Sequence, residues 1–145
     1  MTDGNIHRLP IRVYFEDTDA GGIVYHARFL AFAERGRTEA LRSLGAPHQE
    51  LVDQHGLLFI VRRVEVDYLS PARLDELLGV VTRVTALGGA SMTLDQVVEG
   101  ANGAARAALR VVLVCVRLDD NRPARIPGRW RDALTGLLSA AERGS

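Results

Sequence analysis

Between Phe15 and Leu30 the chain reads FEDTDAGGIVYHARFL. Glu16, Asp17 and Asp19 crowd three carboxylates into four positions, Gly21 and Gly22 follow, and Tyr25–His26 leads into an amphipathic run. A helix start uses one acid as a cap, whereas three neighbouring acids repel one another. If a helix begins soon after them, its first turn presents unpaired N–H groups and a partial positive charge. Gly21 and Gly22 let a ligand approach that backbone closely. A carbonyl docked on those amides would be polarised and its oxyanion stabilised, while a carboxylate alongside could activate water or attack the carbonyl itself. Plainer roles fit the same residues. Asp19 can cap the helix, Glu16 and Asp17 can end a strand, and Tyr25 and His26 can be interface or core side chains. Spacing alone leaves both readings open.

Other chemistries find little support. His7, His26, His48 and His55 lack ligand-like spacing, so no metal site is expected. Ser91 lies in GASMT, without the second glycine of a nucleophile elbow. All 18 basic residues are arginine. Lysine Schiff-base chemistry and a lysine-bearing phosphate loop are thereby excluded, and any phosphate must be held by Arg forks, helix ends or backbone amides. The single cysteine, Cys115 in VVLVCV, precludes an internal disulfide and reads as a small buried hydrophobe.

The elements that must position these residues follow from periodicity. IRVYFE, Ile11 to Glu16, alternates and reads as a first strand. From Ala27 to Leu44 the period becomes helical: Phe29, Ala33, Gly36, Ala40 and Leu44 form one face, Glu34, Arg35, Arg37, Glu39 and Arg42 the other. Gly45 and Pro47 stop it. Pro47 to His55 holds a short helical turn. Four β-rich segments come next, at 57–68, 76–86, 91–99 and 104–118. SPARLD, LGG and GANG between them read as hairpin breaks. The last segment, AALRVVLVCVRL, is too apolar for an edge and should lie centrally. A closing helix is expected from Arg129 to Arg143. The whole predicts a single α+β domain over 1–145, with a five-stranded antiparallel sheet covered by one long helix. Exposed sheet edges make a homo-oligomer the expectation.

Composition narrows the partners. Basic and acidic residues balance at 18 each, which argues against a nucleic-acid surface. No apolar stretch nears the roughly 20 residues a membrane span needs. MTDGNIHRLP lacks the apolar core of a signal peptide, so a cytoplasmic protein is expected.

RVYFEDTDAGGIVYHARFLAFAERGRTEALR, followed by VRRVEVDYLSPARLDELL, LGGASMTLDQ, ARAALRVVLVCV and RPARIP, resembles the hotdog-fold acyl-CoA thioesterases of the 4-hydroxybenzoyl-CoA thioesterase class. Within that class the resemblance is to the YbgC-type branch associated with the Tol–Pal system, and it runs from Arg12 to Pro127. It implies a five-stranded antiparallel sheet wrapped round one long helix, assembled as a homodimer or homotetramer. It implies hydrolysis of an acyl-CoA to free acid and CoA, with no metal or redox cofactor and coenzyme A entering only with the substrate. The family's catalytic carboxylate falls on Asp19 and its carbonyl-polarising amide near His26. Gly22 and Tyr25 border the thioester pocket. Ser91, Arg122 and Arg125 fall where the family contacts CoA, although the LGGA turn at 87–90 lacks the basic residue relatives carry; Arg62 or Arg63 are substitutes. Glu34 sits where a second branch of the fold keeps an acid, an assignment the DTD block disfavours. Short- to medium-chain aliphatic acyl groups suit the low aromatic content of 6%. A His26-based dehydratase, and a non-enzymatic acyl-CoA-binding adaptor with an envelope-machinery partner, are the alternatives.

Overall fold

The computed structural model describes residues 2–3 and 5–138. In chain order the elements are β1 (Thr2–Asp3), β2 (Ile6–Arg12), α1 (Arg28–Ser43), α2 (His48–His55), β3 (Leu57–Tyr68), β4 (Leu77–Leu87), β5 (Ser91–Glu99), β6 (Ala105–Arg117) and α3 (Gly128–Thr135). The strands form one antiparallel sheet in the order β1-β2-β4-β5-β6-β3. Five strands carry it; β1 is a two-residue addition to one end of β2.

β5 shows how the sheet is made two-faced. Met92, Leu94, Gln96 and Val98 are buried, and the residues between them are half-exposed. This is the period-2 signature of a sheet with one packed face. The packed face meets α1, whose Phe29, Phe32, Ala33, Gly36, Ala40 and Leu41 are buried. Closest approach comes at Gly36, where a Cβ would lie 2.6 Å from Val80 Cγ1. The helix is also tied to the sheet by a polar bridge. Gln96 Nε2 donates to the Ala33 carbonyl (2.8 Å) and Thr82 Oγ1 (2.9 Å), and Arg37 Nη1 donates to Gln96 Oε1 (3.1 Å). Each buried polar atom here is satisfied by another, which makes its burial tolerable. As expected, β6 is interior, and burial raises the thiol pKa of its Cys115.

Three expectations need correction. The first strand runs over Ile6–Arg12 rather than Ile11–Glu16, and Phe15–Asp17 is a 3-10 turn. β2 accommodates Pro10 because beyond Ile6–His7 its outer side has no partner strand to receive an N–H. The turn forms because Asp17 bends the chain inward, its Oδ2 accepting Tyr14 N–H (2.9 Å). Second, SPARLD is not a hairpin. β3 pairs only β6 and β4 pairs β2 and β5, so residues 69–76 cross from one edge of the sheet to the far side. The LGG and GANG breaks do close hairpins, β4–β5 and β5–β6. Third, α3 ends at Thr135, followed by a turn and a bridge from Leu138 to Val84. The expected continuation over 139–143 lies outside the described residues.

Among the described residues no helix is long and apolar enough to cross a membrane.

Candidate active site

The DTDAGG segment folds as a miniature hairpin ahead of α1. Asp19 N–H donates to Ile23 O (3.0 Å), Tyr25 N–H to Asp17 O (3.0 Å), and Gly22 N–H closes the turn on Asp19 O (3.0 Å). Gly22 takes φ +79°, which favours glycine at that corner. The SPARLD crossover braces the hairpin from outside: Val24 N–H donates to Ala72 O, and Leu74 N–H to Gly22 O. The connection that fails to be a hairpin therefore holds the acidic loop in place.

The three acids have separate fates. Asp17 is buried, and its Oδ1 accepts Nη2 (2.7 Å) and Nε (3.0 Å) of Arg28, the first residue of α1. This pair joins loop to helix, so the structural reading of Asp17 holds. Glu16 is exposed on the 3-10 turn. Asp19 is also exposed at the hairpin tip, where its Oδ1 accepts only Gly21 N–H (2.9 Å). It does not cap α1. The N-cap is Ala27, with no side-chain cap, and the helix starts nine residues after Asp19. The capping role is thus overturned, and one Asp19 oxygen has no partner within the described chain.

At the helix start, Arg28, Phe29 and Leu30 N–H donate to the carbonyls of Tyr25 (2.8 Å), His26 (3.3 Å) and Ala27 (3.2 Å). The amides of His26 and Ala27 donate to nothing among the described residues. Two free N–H groups at the positive end of a sixteen-residue helix form a polarising corner. Tyr25 pairs across the hairpin with Asp17, two residues from Asp19, so Asp19 and this corner sit on one ribbon about 7 Å apart along it. Exposed rings of Tyr25, His26 and Tyr68 border the corner, His26 lying 4.5 Å from the Tyr25 centroid and 5.8 Å from that of Tyr68, and the buried ring of Phe29 lies 5.9 Å from Tyr68. Tyr68 carried no signal in the sequence, because only the docking of the β3 end against α1 brings it here.

The other predicted residues are elsewhere. Ser91 starts β5, where its carbonyl accepts Gly88 N–H (2.8 Å). Arg125 is exposed, and its Nη1 lies 3.6 Å from where a Gly89 Cβ would stand. Arg122 is exposed on the turn after β6. Arg131, which spacing did not single out, donates from Nη2 to the carbonyls of Gly88 and Gly89 (both 2.9 Å). Ser91 pairs with Val114, which pairs with Ile60 of β3, whereas the His26 corner touches Tyr68. Eight strand residues separate those rows, about 26 Å along β3. One chain thus brings together Asp19, Gly22, Tyr25 and His26, and separately Ser91, Arg122 and Arg125, but does not join the two groups.

An antiparallel sheet packed on one long helix, entered through an acidic hairpin, is the hotdog architecture of thioesterases. Residues 21–107 match the family model of the Thioesterase superfamily, and the chain belongs to that family. It is 41% identical over 122 residues to the acyl-CoA thioester hydrolase YbgC of Escherichia coli O6:H1, covering 84% of this chain and 90% of the relative. Identity to the acyl-CoA thioesterase YbgC of Haemophilus influenzae is 43% over 130 residues, covering 89% and 94%. A probable thioesterase from Bartonella henselae superposes with TM-score 0.79 at 35% identity, over 84% of this chain and 99% of the other. A DHNA-CoA thioesterase from Staphylococcus aureus reaches TM-score 0.87 at 20% identity, a likeness of fold alone.

Proposed function

We propose that this protein hydrolyses acyl-CoA thioesters of short- to medium-chain aliphatic acids, with Asp19 as general base or nucleophile and the His26–Ala27 amides polarising the thioester carbonyl. The observation that carries the reading is the pairing of an exposed, half-partnered carboxylate with a helix start bearing two unpartnered amides. The relatives named as acyl-CoA thioesterases support the substrate class. Hydrolysis needs water, a base and an oxyanion site, so no metal or redox cofactor enters the scheme, and coenzyme A arrives as part of the substrate.

The separation of Ser91, Arg122 and Arg125 from Asp19 is resolved by a homodimer. β3 is a twelve-residue edge strand with Ile60, Val61, Val64 and Tyr68 exposed. Such an edge invites a partner strand. Two β3 strands paired antiparallel about a two-fold axis set the Leu57 end of one against the Tyr68 end of the other. The arginines of one protomer then serve the thioester corner of its partner, with Arg125 and Arg122 binding CoA phosphate. A cytoplasmic location, and an envelope-machinery partner bound by the same dimer, belong to this reading through the family resemblance.

Free-thiol release from a panel of aliphatic and benzoyl CoA esters tests the proposal, with wild type, Asp19→Asn and His26→Ala side by side. Aliphatic turnover that collapses in Asp19→Asn supports it. Loss in His26→Ala with a near-normal Asp19→Asn rate would transfer the chemistry to His26 and sink the mechanism.

A further inference from the structure

We propose that Arg106 is a positioning residue for the Asp19 carboxylate: by forking between Glu76 and Ser70 it closes the 69–76 crossover that backs the Asp19 hairpin. This rests on the thioesterase reading above. The hairpin needs such a backing. Its internal backbone bonds, from the N–H groups of Asp19, Gly22 and Tyr25, make a ribbon of only a few residues, and an isolated two-stranded ribbon is marginal in water. The crossover completes its outer side. Val24 N–H donates to Ala72 O (2.8 Å), Leu74 N–H to Gly22 O (3.4 Å), and Ile23 bridges Arg73. Where residues 72–74 stand therefore decides where the exposed Asp19 carboxylate stands.

Arg106 reaches both ends of that crossover. At the exit its Nη2 (2.7 Å) and Nε (3.0 Å) donate to Glu76 Oε2, and at the entry its Nη1 donates to Ser70 Oγ (3.0 Å). Its carbonyl accepts the N–H groups of Leu69 (2.9 Å) and Ser70 (3.2 Å). The other carboxylate oxygen of Glu76, Oε1, accepts Arg73 N–H (3.1 Å), so the pair also grips the residue that bridges Ile23. Ser70 Oγ in turn donates to Ala105 O (2.9 Å). Side-chain exposures of 19% and 16% take Arg106 and Glu76 out of the class of surface ion pairs that contribute little. A Cβ at Gly100 would stand 2.6 Å from both Arg106 Nη2 and Glu76 Oε2, so the pair is also confined against the β5–β6 turn.

The backbone of the crossover needs this fastening. Asp75, next to Glu76, takes φ +69°, a left-handed conformation that aspartate adopts at a cost. Such a residue keeps its conformation where its surroundings fix it. Arg12 Nη1 donates to its carbonyl (2.8 Å) and its N–H donates to Val13 O (3.0 Å), both on the exit side. Among the described residues only Arg106 carries side-chain hydrogen bonds to entry and exit together. Chemistry by a carboxylate is sensitive to its placement, since a displacement of about 1 Å at the reacting atoms costs about 10²-fold in rate.

The test uses two variants. Arg106→Met combined with Glu76→Met removes both charges at similar volume and so leaves no lone buried carboxylate, while Ser70→Ala loosens the entry alone. The double variant is expected to melt near wild type. Its kcat for octanoyl-CoA should fall by about tenfold to 10²-fold with KM within about twofold, the pattern of a lost transition-state placement. Ser70→Ala should show a smaller loss with the same split. In amide hydrogen exchange, Val24 N–H should exchange faster in the double variant while Gln96 and Val98 of β5 keep their wild-type rates. A merely structural pair would speed all three and leave kcat per folded molecule unchanged. A kcat near wild type in either variant, or a kcat loss without faster exchange at Val24, overturns the proposal while leaving the thioesterase reading intact. No thiol release by wild type from octanoyl-CoA or any other ester of the panel overturns both.

Discussion

Two aspartates two residues apart have opposite physical settings. Asp17 is buried against Arg28 and the Tyr14 amide, while Asp19 is exposed with a single backbone bond. Removing one partner of a fully buried ion pair costs about 3–5 kcal/mol, and partial exposure of Arg28 reduces that figure here. Asp17→Ala is expected to lower the melting temperature clearly, measured by thermal denaturation. Asp19→Asn should melt close to wild type and yet lose about 10²–10⁴ of turnover, the range of a general base. A marked loss of stability in Asp19→Asn would mean that it holds the hairpin together. The sequence singled out Asp19 and His26 as candidates because the acidic block and the helix start are local features. The buried role of Asp17 depended on an arginine eleven residues away, and the failure of Asp19 to cap depended on where α1 begins.

At the scale of elements, α1 is held by close approach and by a polar bridge. A Cβ at Gly36 would lie 2.6 Å from Val80 Cγ1 and 3.2 Å from Gln96 Nε2 and Thr82 Oγ1. Gly36→Ala should therefore destabilise by about 1–3 kcal/mol through overpacking, although alanine is the better helix former. A denaturant midpoint at or above wild type would show that helix and sheet separate without loss. α2 adds a pH dependence. Burial lowers the pKa of His48 below its ordinary 6.5. The unfolded chain thus binds the proton more readily, so stability from this group is full above about pH 6.5 and declines as pH falls toward the folded-state value. Protonation would also take the lone pair that accepts Phe59 N–H. Melting temperature should fall between pH 7.5 and 5.5, and His48→Gln should flatten that slope; an equal slope in the variant would assign it elsewhere, His7 being shifted in the same direction.

For the whole molecule, the decisive feature is that β3 is an edge. Val61→Lys with Val64→Lys places charge on the exposed apolar side chains of that strand. If two copies join there, the variant should sediment as a monomer and lose activity, since Asp19 and Arg125 would no longer share a site. A fully active monomer would place the CoA contacts within one chain.

Periodicity and composition determined most elements of this protein. β3 and β5 match their expected bounds, α1 differs by one residue at each end, and β4 and β6 by about one. These are local properties, set by which side chains alternate or recur every three to four residues. The acidic motif likewise marked a candidate carboxylate without a fold, while its spacing left capping and catalysis both open. Only the tertiary structure decided which strands became neighbours, because ladder partners are chosen by long-range packing and not by the length of the intervening turn. That choice made SPARLD a crossover bracing the Asp19 hairpin rather than a turn between neighbours. It brought Tyr68 to His26 and set Ser91 and Arg125 at the far end of β3 from Asp19.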